Sequence, residues 1–201
     1  TFFSDIMNVI GNIDVSILVN NVGVLYSHYY PKITEQQIRE TIIVNCIPQA
    51  LLTHYFIPRM NQRKNRSCII SLSSYSASYP MPLQSIYGAT KSFNDYLSRS
   101  LSYENPKIDF YSLKPYFVST NMIQKRKASG LTINADECVE AALAELGHKT
   151  HSAGHWKHKL ITSLAHIIPE SIRDWITMKR LSGKKPKKVA DADSKGATHE
   201  K

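Results

Sequence analysis

The stretch from Ser71 to Lys91, SLSSYSASYPMPLQSIYGATK, constrains this chain more than any other. It continues an apolar run, Cys68-Ile69-Ile70, that reads as a buried parallel strand, and after a proline-containing loop it enters a helix near Ile86. Tyr87 opens that helix. Lys91 lies four residues later, so the phenol ring and the ammonium share one helix face, above the strand end. A phenol titrates near 10 in water, and a cation alongside lowers that value, which suits such a pair to proton transfer around neutrality.

A Tyr and a Lys at this spacing also arise by chance, as a surface ring beside a solvated amine, so the rest of the chain has to carry the reading. Residues 1–12 look like an amphipathic helix. Asp14 to Val19 is a β-rich apolar run suited to a central parallel strand, and it ends at Asn20-Asn21-Val22-Gly23. Thr34-Glu35-Gln36-Gln37 is a capping-box start to a long helix. Asn45 lies in its middle with Pro48 less than a turn on, which predicts a locally distorted backbone. Gln49 to Met60 continues the helix, a polar basic loop covers residues 61–67, and Ile108 to Leu113 reads as the next strand. Lys114 to Thr120 forms a loop. Asn134 caps a helix that runs to Leu146 and stops at Gly147.

Length and composition narrow the class. The 201 residues suit one domain with a real core. The three cysteines, Cys46, Cys68 and Cys138, lack metal-like spacing and read as buried thiols, so no metal site is expected. The formal charge is +9, and from Lys179 onward eight basic residues stand against three acidic ones, a net +5. No aromatic residue interleaves with those lysines, so nucleic acid has no stacking platform there. A solvated basic tail over 181–201 is expected, with attraction to an anionic membrane face as the functional rival. Between Trp156 and Met178 apolar residues mix with histidines and charges, which excludes a spanning segment. An interfacial or pocket-closing helix pair and an ordinary core-packing helix both stay open for residues 151–180.

Asn-Asn-Val-Gly after one strand, Asn45 in a helix, Ser74 at the next strand end and Tyr87-x-x-x-Lys91 occur in the order that one family requires. The chain resembles the short-chain dehydrogenase/reductase family. The resemblance implies an α/β, Rossmann-like, doubly wound parallel sheet over residues 1–150, truncated at its N-terminal side. It implies catalysis by Asn45, Ser74, Tyr87 and Lys91, with Ser74 chosen over Ser73 because it precedes Tyr87 by thirteen residues. Asn45 is expected to hold a relay water; a buried Asn bonded to a neighbouring carbonyl is the alternative. Cofactor contacts are implied at Asn20, Asn21, Gly23, Tyr87, Lys91, Pro115, Val118 and Thr120, with Asn20 tying strands together. Pro115-Tyr116-Phe117-Val118-x-Thr120, with Tyr116 where most members have Gly, is similar to the branch of very-long-chain 3-oxoacyl-CoA reductases and 17β-hydroxysteroid dehydrogenases. That branch implies NADPH, a long-chain acyl-CoA ketone or a steroid ketone, and the cytosolic face of the endoplasmic reticulum membrane. A homodimer is compatible with the sequence.

The eight glycines contain no cluster like the Gly-rich turn that binds pyrophosphate in dinucleotide folds. The reading is therefore of a fragment or truncated product, expected to bind cofactor poorly by itself. A non-catalytic remnant that only binds a partner is the rival from another class.

Overall fold

A computed structural model describes residues 2–123 and 129–182. Four strands, β1 (Ile17–Asn20), β2 (Ser67–Leu72), β3 (Ile108–Leu113) and β4 (His151–Ser152), form one parallel sheet in the order β1-β2-β3-β4. Ile17 lies opposite Cys68, and Ser67 opposite Ile108. The architecture is Rossmann-like, as expected. The strand order advances in one direction only, so the reversal of a doubly wound sheet is not among the described strands. β1 is shorter than the sequence suggests because it pairs on one side alone, and β2 offers partners only from Ser67 onward.

The helices are α1 (Phe2–Ile10), α2 (Glu35–Gln62), α3 (Ser85–Glu104), α4 (Ala135–Leu143), α5 (Trp156–Ile167) and α6 (Glu170–Ser182). Alternation along the strands sends Cys68, Ile70, Tyr111 and Leu113 to one face, against Ile133 and against Cys138 and Ala142 of α4. It sends Ile69, Ile108 and Phe110 to the other, against Phe56 and Met60 of α2, with Leu101 of α3 alongside. Each such buried side chain stabilises by about 1.5–3 kcal/mol. Helices therefore cover both faces. Because α4 lies opposite α2 and α3 while the strands advance the same way, the β3-to-β4 connection has the opposite hand to the first two.

Thr34 and Gln37 form the expected capping box at the start of α2. α2 continues through Pro48 and Pro58 without ending at either. Each proline removes one backbone donor, and the buried stripe Thr41, Asn45, Gln49, Thr53, Phe56 and Met60 holds the axis against that loss. α4 stops at Leu143, short of the expected Leu146, although Leu146 still packs on the core. Residues 151–152 are the fourth strand, and α5 packs through Ala165 on Tyr75 and Tyr79. α6 reaches Ser182, and the expected basic tail otherwise lies outside the described residues.

Two contacts fix the C-terminal part. Glu145, buried, accepts hydrogen bonds from the Tyr111 hydroxyl at 2.9 Å and the Lys149 ammonium at 2.6 Å, and pairs with Lys159 of α5 at 2.6 Å. Burial works to raise its pKa, but these donors outweigh it and hold the carboxyl down at about 2. Gly154 (φ +71°) leads into α5, and a Cβ there would lie 2.9 Å from Leu113 Cδ1.

The depressed Glu145 value contributes stability that is fully present above about pH 4.5 and is lost as pH falls toward about 2. Urea unfolding of a Glu145→Gln variant across that window should show a flatter pH dependence than the parent. Gly154→Ala meets both a left-handed backbone and a clash, so a loss of about 2 kcal/mol or more in the same assay is expected.

Candidate active site

The loops at the C-terminal ends of β2 and β3 run side by side. Ser73 N–H donates to the Leu113 carbonyl at 2.8 Å and Tyr75 N–H to the Pro115 carbonyl at 3.0 Å. Over this edge sits the first turn of α3. The Tyr87 phenol, 8% exposed, hydrogen-bonds with Ser74. Ser73 points elsewhere, its hydroxyl donating to the Lys91 carbonyl at 2.7 Å. Geometry thus separates the two serines, and Ser74 is the one facing Tyr87.

Lys91 is 2% exposed, and its ammonium donates to the Leu72 carbonyl at 2.7 Å. It lies 5.8 Å from the centre of the Tyr87 ring. Burial pulls its value down to about 8, with Cys46 acting in the other direction. Burial raises Tyr87, and the hydrogen bond from Ser74 is what works against it. The ammonium meanwhile spends one of its three donors on the Leu72 carbonyl.

Asn45, wholly buried, braces the neighbouring loop. Its Oδ1 accepts from Val24 N–H at 2.8 Å, while Nδ2 donates to the Val24 carbonyl at 3.1 Å and to Thr90 Oγ1 at 2.9 Å. The side chain thus ties the Val24 backbone to Thr90 of α3. This brace presses Gly23 inward: a Cβ at Gly23 would sit 3.3 Å from both Asn45 Oδ1 and Lys91 Nζ. Gly23, Asn45, Ser74, Tyr87, Lys91 and Pro115 are thereby brought together. Asn20 is not part of that cluster; its amide donates to Thr53 Oγ1 on α2 at 3.1 Å, and its Oδ1 is buried without a partner among the described residues. Asn21 is exposed, Thr120 is exposed, and Val118 bridges to Ile133.

Sequence reasoning missed three participants. The Leu72 carbonyl and the Thr90 hydroxyl carry no signal in a sequence. His158 carried a misleading one, as a member of a histidine cluster. It is fully buried, with Nδ1 accepting from Tyr116 N–H at 3.2 Å and Nε2 donating to the Leu131 carbonyl at 3.1 Å, which fixes a neutral tautomer. Tyr116 packs edge-on against Tyr75 at 5.1 Å, and Tyr75 against Tyr79 at 5.3 Å. A tyrosine replaces the family's usual glycine here because its ring joins that aromatic cluster.

The family model described as short chain dehydrogenase matches residues 1–130. The chain belongs to the short-chain dehydrogenase family. It is 32% identical to the inactive hydroxysteroid dehydrogenase-like protein 1 of Homo sapiens, over 81% of this chain and 51% of that protein. It is 30% identical to the very-long-chain 3-oxoacyl-CoA reductase of Rattus norvegicus, over 87% of this chain and 56% of that protein. Among solved structures it is similar to a short-chain dehydrogenase from Sphingobium yanoikuyae in complex with NADPH, at 27% identity and a TM-score of 0.62, covering 69% of this chain and 56% of that one. The chain thus spans about half the length of the curated relatives it matches.

Between about pH 8 and 10.5 the folded chain has released the Lys91 proton while the unfolded chain still binds it, so stability rises with pH across that window. Lys91→Met should abolish the rise, as followed by urea unfolding at a series of alkaline pH values.

Proposed function

We propose that this chain carries the proton-transfer and nicotinamide-facing part of an NADPH-dependent carbonyl reductase. The observation that carries the reading is the contact between the Ser74 and Tyr87 hydroxyls with the Lys91 ammonium one helical turn away. The residues present fit a nicotinamide cofactor: Gly23 leaves open the space beside Lys91 that any side chain would fill, and the Asn20 Oδ1 is a buried acceptor without a partner. Gly23, Tyr87, Lys91 and the Pro115, Val118 and Thr120 loop would hold the nicotinamide end, with Asn20 and Asn21 toward the adenosine. When bound, the cofactor supplies the hydride.

The chain's own groups handle the oxygen and the proton. Ser74 and Tyr87 donate hydrogen bonds to the substrate carbonyl oxygen, which gains charge as it is reduced, and such preorganised donors are usually the largest single contribution. Burial keeps the Tyr87 phenol protonated at neutral pH, so it is set to give its proton as general acid. Lys91 offers an ammonium to the cofactor ribose and to the phenolate left behind. Asn45 holds the Gly23-Val24 backbone in the position that keeps Lys91 in place.

The rat relative's name and the Pro-Tyr-Phe-Val-x-Thr loop support a long-chain 3-oxoacyl-CoA as substrate, and a setting at the endoplasmic reticulum membrane. The hydroxysteroid dehydrogenase-like relative supports a steroid ketone as the second reading, and its name, which includes "inactive", supports a third without turnover. Rates with NADPH on an acyl-CoA ketone and on a steroid ketone separate these three. In a protein of the relatives' full length that carries this chain, the expected result is turnover of the acyl-CoA ketone, with Tyr87→Phe slower by about 10²–10⁴-fold and cofactor affinity largely kept. An undiminished variant rate overturns the Tyr87 assignment, and no rate on either ketone favours the inactive reading.

A further inference from the structure

Helix α5 is apolar on two opposite sides. His158 and Ala165 face the core, while Trp156, Leu160, Leu164 and Ile167 form an exposed stripe along the other side at the spacing of successive turns. The next helix repeats the device. In α6, Ile172, Trp175, Ile176 and Lys179 share one exposed face at i, i+3, i+4 and i+7. Trp156 and Trp175 are 63% and 62% exposed, which is far from the interior where such rings usually sit. Each carries a lysine over its ring, Lys157 at 5.8 Å and Lys179 at 5.1 Å. Glu170 and Asp174 lie on the other side of α6, paired with Arg173 at 3.5 and 3.8 Å, so no carboxylate of α6 interrupts its stripe.

We propose that the α5 and α6 stripes form a surface that docks on an anionic lipid bilayer. The occupant follows from the chemistry. Tryptophan rings flanked by lysines suit the boundary between headgroups and acyl chains, and a helix with an apolar stripe lies in that plane without crossing it. No described helix is long and apolar enough to cross a membrane. The sequence directly after α6 supplies Lys184, Lys185, Lys187 and Lys188, a cluster that complements negatively charged headgroups. The inference deepens the membrane setting proposed above but needs none of the chemistry at Tyr87. Turnover in the absence of vesicles and vesicle binding are separate measurements, so failure of one leaves the other standing.

Both tryptophans of the chain lie on this surface, so intrinsic fluorescence reads it directly. With vesicles of phosphatidylcholine and phosphatidylserine the full chain should shift its emission to the blue, and brominated acyl chains should quench it. Vesicles of phosphatidylcholine alone should bind the chain more weakly. Leu160→Ser with Ile176→Ser keeps both reporters and alters only exposed positions, and it should weaken binding at least about tenfold. Lys184, Lys185, Lys187 and Lys188 changed together to Gln should weaken it by at least as much and remove its salt dependence. Three results overturn the proposal: no quenching by brominated lipid, equal binding to neutral and anionic vesicles, or a blue shift that follows protein concentration without lipid, which would mark a second copy as the occupant.

Discussion

The site depends on a reciprocal pair of hydrogen bonds between the end of β2 and the first turns of α3. The Ser73 hydroxyl donates to the Lys91 carbonyl, and the Lys91 ammonium donates to the Leu72 carbonyl, both at 2.7 Å. Burying a lysine costs free energy that one neutral acceptor offsets only in part. The cost falls on the helix that carries Tyr87, and the bond fixes that helix in azimuth as well as in depth. With Lys91 held at the strand end, Tyr87 one turn earlier is brought over Ser74, and Ser73 is used up as structure. Ser74 is left as the serine that meets the phenol.

The second helix supplies the wall that makes this possible. Asn45, Gln49 and Thr53 follow one another at four-residue intervals along α2, bonding Val24 and Thr90, the Asn94 carbonyl, and Asn20 in turn. A polar seam between two helices is less stabilising than a hydrocarbon one, and it is specific in register. Its satisfaction is incomplete. Gln49 Oε1, Asn94 Oδ1, Ser98 Oγ and Asn20 Oδ1 are buried without a partner among the described residues. Asn20, buried, ends β1, where Ile17 and Val19 are exposed, and β1 is an edge among the described strands.

Local chemistry explains what the sequence made legible. Apolar runs too short for helices gave β2 and β3, capping boxes gave the starts of α2 and α4, and the four-residue spacing placed Tyr87 and Lys91 on one face. The family order of Asn, Ser, Tyr and Lys selected residues that the fold does bring together. What stayed hidden depends on partners distant in sequence. A lysine's acceptor is a backbone carbonyl, and no residue type announces it. The burial of Tyr87 and its bond to Ser74 likewise depend on partners that the four-residue spacing to Lys91 does not reveal. α2 continues past Asn45 and Pro48 because tertiary packing along its buried stripe offsets one missing hydrogen bond. β1 shortens because strand length depends on a partner that only the assembled sheet supplies.

The aromatic cluster links these two halves of the molecule. Tyr75 follows Ser74 directly and packs on Tyr79 and Tyr116, and Arg173 of α6 lies 4.4 Å over the Tyr79 ring. His158 of α5 holds the backbone of Tyr116, and Glu145 ties Lys159 of the same helix to Tyr111 on β3. The inner side of α5 is thus fastened to the loops after β2 and β3 at several points. A displacement of α5 therefore has to disturb Tyr116 and, through Tyr75, the residue next to Ser74. The inner side of α5 thus reaches the residue next to Ser74 through ring contacts and one neutral histidine.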